Sequence, residues 1–222
     1  MSSIWDYDLW EPTDPGSWIG GTRGTHEHER DPHVDLGCGT IKKGRIGIDR
    51  YAAPGVNIVA NLDPVEILSL ASAPNEDASG YIPGIEGYKG GLPFADSSIR
   101  SIISHHFFEH VGDGFIPLVD EIYRILEPGG VLRAITPLFP SRPAVEDPDH
   151  RRYFMEGSWD SFCGHLGDEN NPTGSWLDAF SVPYTKARFT LVDRDATPRV
   201  PIEEHWGPTD VRELRVSLVA NK

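Results

Sequence analysis

The sequence predicts an α/β fold in which a doubly wound, mostly parallel sheet carries an antiparallel strand pair near its C-terminus. Short apolar segments between residues 33 and 136 are separated by loops and helical patterns, which is typical of parallel sheets with crossover connections. A glycine-rich turn follows the first of these segments. Residues 187–192 and 211–220 are strand-like with no clear helix between them, which favours antiparallel pairing at a sheet edge.

The strands of the parallel part are predicted from their apolar runs at residues 33–36, 45–48, 56–60, 99–107 and 131–136. A helix over 115–127 follows from apolar residues recurring every three or four positions, and Pro128-Gly129-Gly130 ends it. A second helix is predicted from Asp63 to about residue 73. There Asp63 would be the N-cap, Pro64 the first helical residue, and Glu66 part of a capping box.

The chain divides into an arm at residues 1–32 and a domain at 33–222 with an insertion at about 63–90. The arm contains Trp5, Trp10 and Trp18. Disordered segments are poor in aromatic residues, so a packed arm is expected, with a partly disordered leader as the alternative. Trp159 and Phe162, three residues apart, are predicted to face the core from a helix.

The net charge of −14 argues against nucleic acid or an anionic membrane surface as the default partner, because both require a basic face. No apolar run approaches the roughly 18 residues of a membrane span, and residues 1–10 do not resemble a signal peptide. Two cysteines do not make a disulfide framework. A soluble, cytoplasmic protein is expected.

The residues that indicate chemistry are Asp35-Leu36-Gly37-Cys38-Gly39 and, one strand later, Gly47-Ile48-Asp49. Glycines directly after a buried strand let the backbone approach a ligand closely. An acid that ends the next strand faces the same crevice and can accept hydrogen bonds from two ribose hydroxyls. A dinucleotide site is disfavoured because Lys42 stands where the third glycine of that motif belongs.

These blocks resemble class I S-adenosylmethionine-dependent methyltransferases, whose sheet is Rossmann-like. Four further blocks agree in order: residues 59–62, 92–98 with 104–110, 121–132 and 147–154. The resemblance implies S-adenosylmethionine as cofactor. The cofactor-binding residues that it implies are Asp35, Gly37, Cys38, Gly39, Asp49, Arg50, Asn61, Leu62 and His105.

Methyl transfer from a sulfonium can be catalysed largely by positioning, and a general base is needed only for an acceptor proton of high pKa. His106 is the first candidate base, followed by His150 and Asp147. Each of the three has an alternative structural role, in satisfying backbone groups or fixing a loop.

The sequence departs from the family pattern in three places. Only nine residues separate Gly39 from Asp49, so the first helix is expected to shrink to about a turn, as in a compact subset of the family. Arg100 stands where an acid usually opens the fourth strand, and the 63–90 insertion is additional.

The favoured function is methyl transfer to a small molecule or a glycan, with the arm and the insertion shaping the acceptor pocket. The alternative is a non-catalytic cofactor-binding or structural subunit. A nucleic-acid methyltransferase is disfavoured by the charge and by the lack of a base-flipping motif. No metal is predicted, because His26, His28, Cys163 and His165 do not match zinc-ligand spacing.

Overall fold

The structure, a computed structural model, describes residues 33–70, 90–163, 185–196, 198–201 and 210–222 of the 222-residue chain. The predicted arm at 1–32 and most of the predicted insertion lie outside the described residues. Among the helices of the described part, none is long and apolar enough to span a bilayer.

Nine strands and two α-helices make up the described part, together with 3-10 turns at Phe108–His110 and Asp160–Phe162. The strands are β1 (Val34–Leu36), β2 (Ile46–Asp49), β3 (Val56–Leu62), β4 (Val65–Leu70), β5 (Ile99–His105), β6 (Leu126–Pro137), β7 (Phe189–Asp195), β8 (Pro198–Pro201) and β9 (Asp210–Ala220). The helices are α1 (Phe115–Ile125) and α2 (Arg142–Glu146).

The sheet order is β4-β3-β2-β1-β5-β6-β9-β7, and β8 pairs with β9. The central strands β3, β2, β1, β5 and β6 run parallel. Every residue of β1 is buried, as a central parallel strand requires. The predicted α/β class, with a mostly parallel Rossmann-like sheet, is confirmed.

The predicted antiparallel C-terminal pair is also confirmed, because β7 runs antiparallel to β9. Of these two strands, however, only β7 lies at the edge of the sheet. β9 is inserted between β7 and β6 and pairs antiparallel with both.

The predicted helix from Asp63 is wrong where the structure describes it, because Val65–Leu70 forms β4, antiparallel to β3. Val65 and Ile67 are buried, whereas Leu68 is exposed and Glu66 half-buried. This alternation has the period of a strand, and it outweighs the capping-box pattern. The Asp63 carboxylate instead accepts hydrogen bonds from the N–H groups of Gly112 and Gly114, just before α1.

Helix α1 confirms the predicted amphipathic pattern, and its apolar face is fully buried. The buried residues are Phe115, Leu118, Val119, Ile122 and Ile125. On its outer side, Arg124 donates hydrogen bonds to the carbonyl oxygens of Leu92 and Phe94 and to the carboxylates of Glu121 and Asp96. These bonds fix the chain that enters β5.

Two shorter features also bear on the predictions. Residues 37–45 contain turns and bends and no helix, so the first crossover helix is reduced as expected. Trp159 and Phe162 are buried as predicted, but they flank and end a 3-10 turn rather than lying on an α-helix. Both belong to an aromatic cluster with Phe108, Phe115 and Phe154.

Candidate cofactor and active site

A cavity of about 400 Å³ opens at the carboxyl ends of β1, β2, β3 and β5. Ligands of open α/β sheets bind at this edge. The volume lies in the range of small-molecule sites. Its described lining consists of Gly37, Asp49, Arg50, Tyr51, Ala60, Asn61, Leu62, Asp63, His106, Phe107, His110, Val111, Asp149 and Arg151.

The turn after β1 forms the floor of the cavity at Gly37. Gly37 has φ +68° and Gly39 has φ +56°, both in the left-handed region that favours glycine. A Cβ atom on Gly37 would lie 2.4 Å from the ring carbon Cγ of Phe107. The site therefore requires glycine at residue 37, because any side chain there would collide with Phe107.

Asp49 ends β2 and holds the two loops beside it. Its Oδ2 accepts a hydrogen bond from the Gly39 N–H at 2.8 Å, and its Oδ1 accepts one from the Tyr51 N–H at 3.0 Å. A carboxylate oxygen has two lone pairs, so each oxygen retains capacity for a ligand hydroxyl. Asp49 and its neighbour Arg50 both line the cavity.

The end of β3 contributes Asn61, Leu62 and Asp63. The Asn61 side chain closes a local turn, accepting from the Asp63 N–H and donating to the Asp63 carbonyl, both at 3.2 Å. The Asp63 carboxylate accepts hydrogen bonds from the Gly112 N–H at 2.7 Å and the Gly114 N–H at 2.5 Å. Asp63 thus joins the residues just before α1 to the carboxyl end of β3.

The opposite wall comes from the turn after β5 and from residues 149–151. The N–H groups of Arg151 and Arg152 donate to the Glu109 carbonyl oxygen at 2.8 and 3.1 Å. The Arg152 guanidinium also donates to the Gly112 carbonyl at 2.7 Å. These bonds bring Asp149 and Arg151 to the rim of the cavity beside His110.

His106 carries the strongest electrostatic coupling in the site. Its Nε2 lies 2.9 Å from Glu213 Oε1, and its Nδ1 lies 3.5 Å from Glu109 Oε1. Burial alone would lower the pKa of His106, but the two carboxylates raise it to about 9. Burial likewise acts to raise the pKa of Glu213, but His106 and Arg215 hold it down at about 2. His106 therefore carries its proton at neutral pH, with its two ring nitrogens facing the carboxylates of Glu213 and Glu109.

Asp35 and Gly39 lie near the cavity but are not among its described lining. Asp35 is buried, and its Oδ2 accepts the Lys43 N–H at 2.6 Å. Burial raises the pKa of Asp35. Both residues hold the glycine turn after β1 in place. Asp35 does so by accepting the Lys43 N–H, and Gly39 by donating its N–H to Asp49.

Cys38 and His105 also lie outside the described lining. Burial, reinforced by nearby carboxylates, raises the pKa of the Cys38 thiol to about 12. Burial and the neighbouring positive charge of His106 lower the pKa of His105 to about 3. At neutral pH Cys38 is thus a thiol and His105 a neutral imidazole.

Of the three candidate bases, His106 alone is in the described lining. His150 is nearly buried, with Nδ1 3.1 Å from the Ala144 carbonyl oxygen and Nε2 3.8 Å from Asp147 Oδ2. Its ring stacks edge-on against His110, with ring centroids 4.8 Å apart. His150 and Asp147 therefore reach the cavity only through His110 and Asp149.

Sequence reasoning missed six polar or aromatic lining residues: Tyr51, Asp63, Phe107, His110, Asp149 and Arg151. All of them carried some signal in the sequence. Asp63 and Tyr51 follow the carboxyl ends of predicted strands, and the other four stand within the blocks 104–110 and 147–154 that resemble the family. Sequence alone did not show which residues of these blocks face the cavity.

Comparison with known proteins agrees with this geometry. Residues 34–134 match the family model described as a methyltransferase domain. Demethylmenaquinone methyltransferase of Chlorobaculum parvum is 29% identical over 126 residues, covering 54% of this chain and 47% of that protein. The uncharacterized protein YafE of Escherichia coli is 33% identical over 84 residues, covering 33% of this chain and 40% of that protein. The chain thus spans less than half the length of either curated relative.

Solved structures with a similar fold include the 1,6-didemethyltoxoflavin-N1-methyltransferase of Burkholderia thailandensis with bound 1,6-didemethyltoxoflavin and S-adenosylhomocysteine. It has a TM-score of 0.47 at 14% identity, covering 89% of this chain and 75% of that one. A SAM-dependent methyltransferase from Aquifex aeolicus has a TM-score of 0.43 at 14% identity, covering 84% and 80%.

The residues around the cavity fit S-adenosylmethionine. Gly37 leaves its floor without a side chain, and Asp49 presents a carboxylate whose oxygens have lone pairs to spare. Asn61 and Leu62 form an adjoining wall. Residues 34–134, which match the methyltransferase-domain family model, include most of this lining.

Proposed function

We propose that this chain transfers the methyl group of S-adenosylmethionine to a small, polar acceptor, either a small molecule or a glycan. The observation that carries the proposal is the two-sided cavity. One side has Gly37, Asp49 and Asn61, the residue types of a nucleoside site, and the other side has His106 and Arg151.

On the cofactor side, Asp49 would orient the ribose through its hydroxyls, and Asn61 and Leu62 would flank the adenine. The turn at Gly37 would lie against the amino-acid end. When bound, S-adenosylmethionine supplies a methyl group on a positively charged sulfur that departs as a neutral thioether. The residues of the chain then act by holding an acceptor atom in line with that methyl group.

On the acceptor side, the charged and hydrogen-bonding groups His106, His110, Asp149 and Arg151 suit an acceptor with several polar groups. The net charge of −14 disfavours a nucleic acid. The relative from Chlorobaculum parvum is named for demethylmenaquinone, which supports a small-molecule acceptor.

His106 remains the first candidate for proton transfer, followed by His150 and Asp147. Since its pKa is raised to about 9, His106 would present a positive charge to the acceptor at neutral pH and accept a proton only in alkaline solution. We therefore expect His106 to position the acceptor.

Incubating the full chain with methyl-tritiated S-adenosylmethionine and a fractionated extract of its own cells tests the proposal. We expect label in the small-molecule fraction or in a glycosidase-sensitive fraction, and much less label with the Asp49→Ala variant at a limiting cofactor concentration. Label confined to nuclease- or protease-sensitive material would overturn the acceptor class. Cofactor binding without transfer to any fraction would favour the non-catalytic alternative.

A further inference from the structure

Glu109, His110 and His150 converge at the acceptor side of the cavity. One ligating atom from each lies within 4.8 Å of those from the other two. We propose that these three side chains bind a divalent transition-metal ion, with Zn²⁺ as the best match. The proposal adds a site to the acceptor wall and, for its role there, rests on the proposed methyl transfer.

The Glu109 carboxylate is the first observation that points to a cation. Its residue is 2% exposed, and neither oxygen has a hydrogen-bond partner among the described residues. Oε1 lies at ion-pair distance, 3.5 Å, from His106 Nδ1, which leaves Oε2 without a comparable contact. A buried carboxylate lacking full compensation is costly, and a bound cation would relieve that cost.

The two histidines present nitrogen atoms suited to a metal. His110 Nδ1 is buried without a hydrogen bond in the described part of the chain. The His150 Nδ1–H donates to the Ala144 carbonyl at 3.1 Å, which leaves the lone pair on Nε2. Metal-binding histidines usually donate their second ring N–H to a carbonyl or carboxylate in this way. We assign Nε2 as the coordinating atom of His150.

Two further carboxylates surround these rings. Asp149 Oδ2 lies 3.3 Å from His110 Nδ1, and Asp147 Oδ2 lies 3.8 Å from His150 Nε2. Either could serve as an additional ligand or orient a ring. Three acids next to two imidazoles also supply the negative charge that a divalent ion needs.

The donor set narrows the choice of metal. Two histidines and one carboxylate, with a position left open, form a common catalytic zinc site and also suit other first-row divalent ions. Ligand atoms around tetrahedral Zn²⁺ lie roughly 3.4 Å apart, given bond lengths of about 2.1 Å. Since the three ligating atoms lie within 4.8 Å of one another, binding would draw them together by at most about 1.4 Å.

A second group, formed by His105, His106 and Glu213, is a weaker candidate, because the His106–Glu213 ion pair already satisfies its charges. The Glu109 group differs because neither oxygen of its buried carboxylate has a hydrogen-bond partner among the described residues; its His110 lines the cavity. A metal held there would leave its open position to an acceptor oxygen and would lower the pKa of an acceptor hydroxyl.

Metal binding can be measured on the full, untagged chain after removal of bound metals with a chelator. Equilibrium dialysis against Zn²⁺ should give one ion per chain, and Co²⁺ should give the visible absorption bands of a protein-bound ion. Glu109→Gln and His150→Gln should each weaken Zn²⁺ binding by at least about 10-fold, as even supporting residues of metal sites do. His33→Ala, just before β1, is the matched control and should bind as wild type does.

Circular dichroism establishes that each variant folds, and the wild-type Co²⁺ spectrum tests the site without any variant. No stoichiometric metal in wild type, or undiminished binding in both ligand variants, would overturn the assignment. S-adenosylhomocysteine binding is measured on the same samples. If S-adenosylhomocysteine binds and the metal does not, only this inference fails. If S-adenosylhomocysteine does not bind, the proposed function fails.

Discussion

Replacing Asp49 with alanine is expected to raise the dissociation constant for S-adenosylmethionine by about 10- to 100-fold. Hydrogen bonds to a charged group contribute about 1.5–3 kcal/mol, which corresponds to this range. The carboxylate also fixes the N–H groups of Gly39 and Tyr51, so both loops beside the cofactor loosen when it is lost. Isothermal titration calorimetry of the wild type and the variant measures the change.

Two further variants separate ribose recognition from general effects. Asp49→Asn retains one acceptor oxygen and should show an intermediate loss of affinity. Asp193→Ala removes an exposed acid of β7 and should bind the cofactor as wild type does. An unchanged dissociation constant for Asp49→Ala in a folded sample would show that Asp49 does not contact the ribose.

Glu213→Gln is expected to lower the free energy of unfolding by about 3 kcal/mol at pH 7. Glu213 is 7% exposed and forms ion pairs with His106 and Arg215, both at 2.9 Å. Removing one partner of a buried ion pair leaves the other charge uncompensated, which typically costs 3–5 kcal/mol. Urea denaturation followed by circular dichroism gives the difference.

The difference in the free energy of unfolding between wild type and Glu213→Gln should also depend on pH in a defined direction. The pKa of Glu213 is depressed from its ordinary 4.5 to about 2 in the folded chain, so its stabilisation is complete above pH 4.5. It is lost as the pH falls from 4.5 towards 2. The gap between wild type and Glu213→Gln should therefore be constant from pH 7 to pH 5 and narrow at pH 3. Glu156→Gln, at an exposed position, should change neither value, and a gap that widens in acid would contradict the ion-pair role.

Local patterns were sufficient to predict the central sheet and the place of Gly37 and Asp49 at one of its edges. Strand β1 is a short apolar run followed at once by glycines, and Asp49 ends the next strand, so both place their chemistry at one sheet edge. The prediction of a helix from Asp63 was wrong because the capping pattern involves only neighbouring residues and contains no information on pairing with β3. The alternation of Val65 and Ile67 with less buried residues, and pairing with β3, decided the structure.

The acceptor side depends on contacts between distant parts of the chain. Glu213 reaches His106 because β9 lies antiparallel beside β6, and Asp149 reaches His110 because its loop is bonded to the Glu109 carbonyl. The spacing of residues in the sequence predicts neither the Glu213–His106 contact nor the Asp149–His110 contact. For the same reason, the convergence of Glu109, His110 and His150 was not predicted.

The most direct test of the central claim is a calorimetric titration of the full chain with S-adenosylhomocysteine, paired with thermal unfolding. We expect saturable binding of one ligand per chain. At a free concentration about 100 times the dissociation constant, the fold should gain about 2.7 kcal/mol, with a corresponding rise in Tm. No binding heat and no change in Tm at millimolar ligand, in a folded sample, would contradict the assignment of this cavity to S-adenosylmethionine.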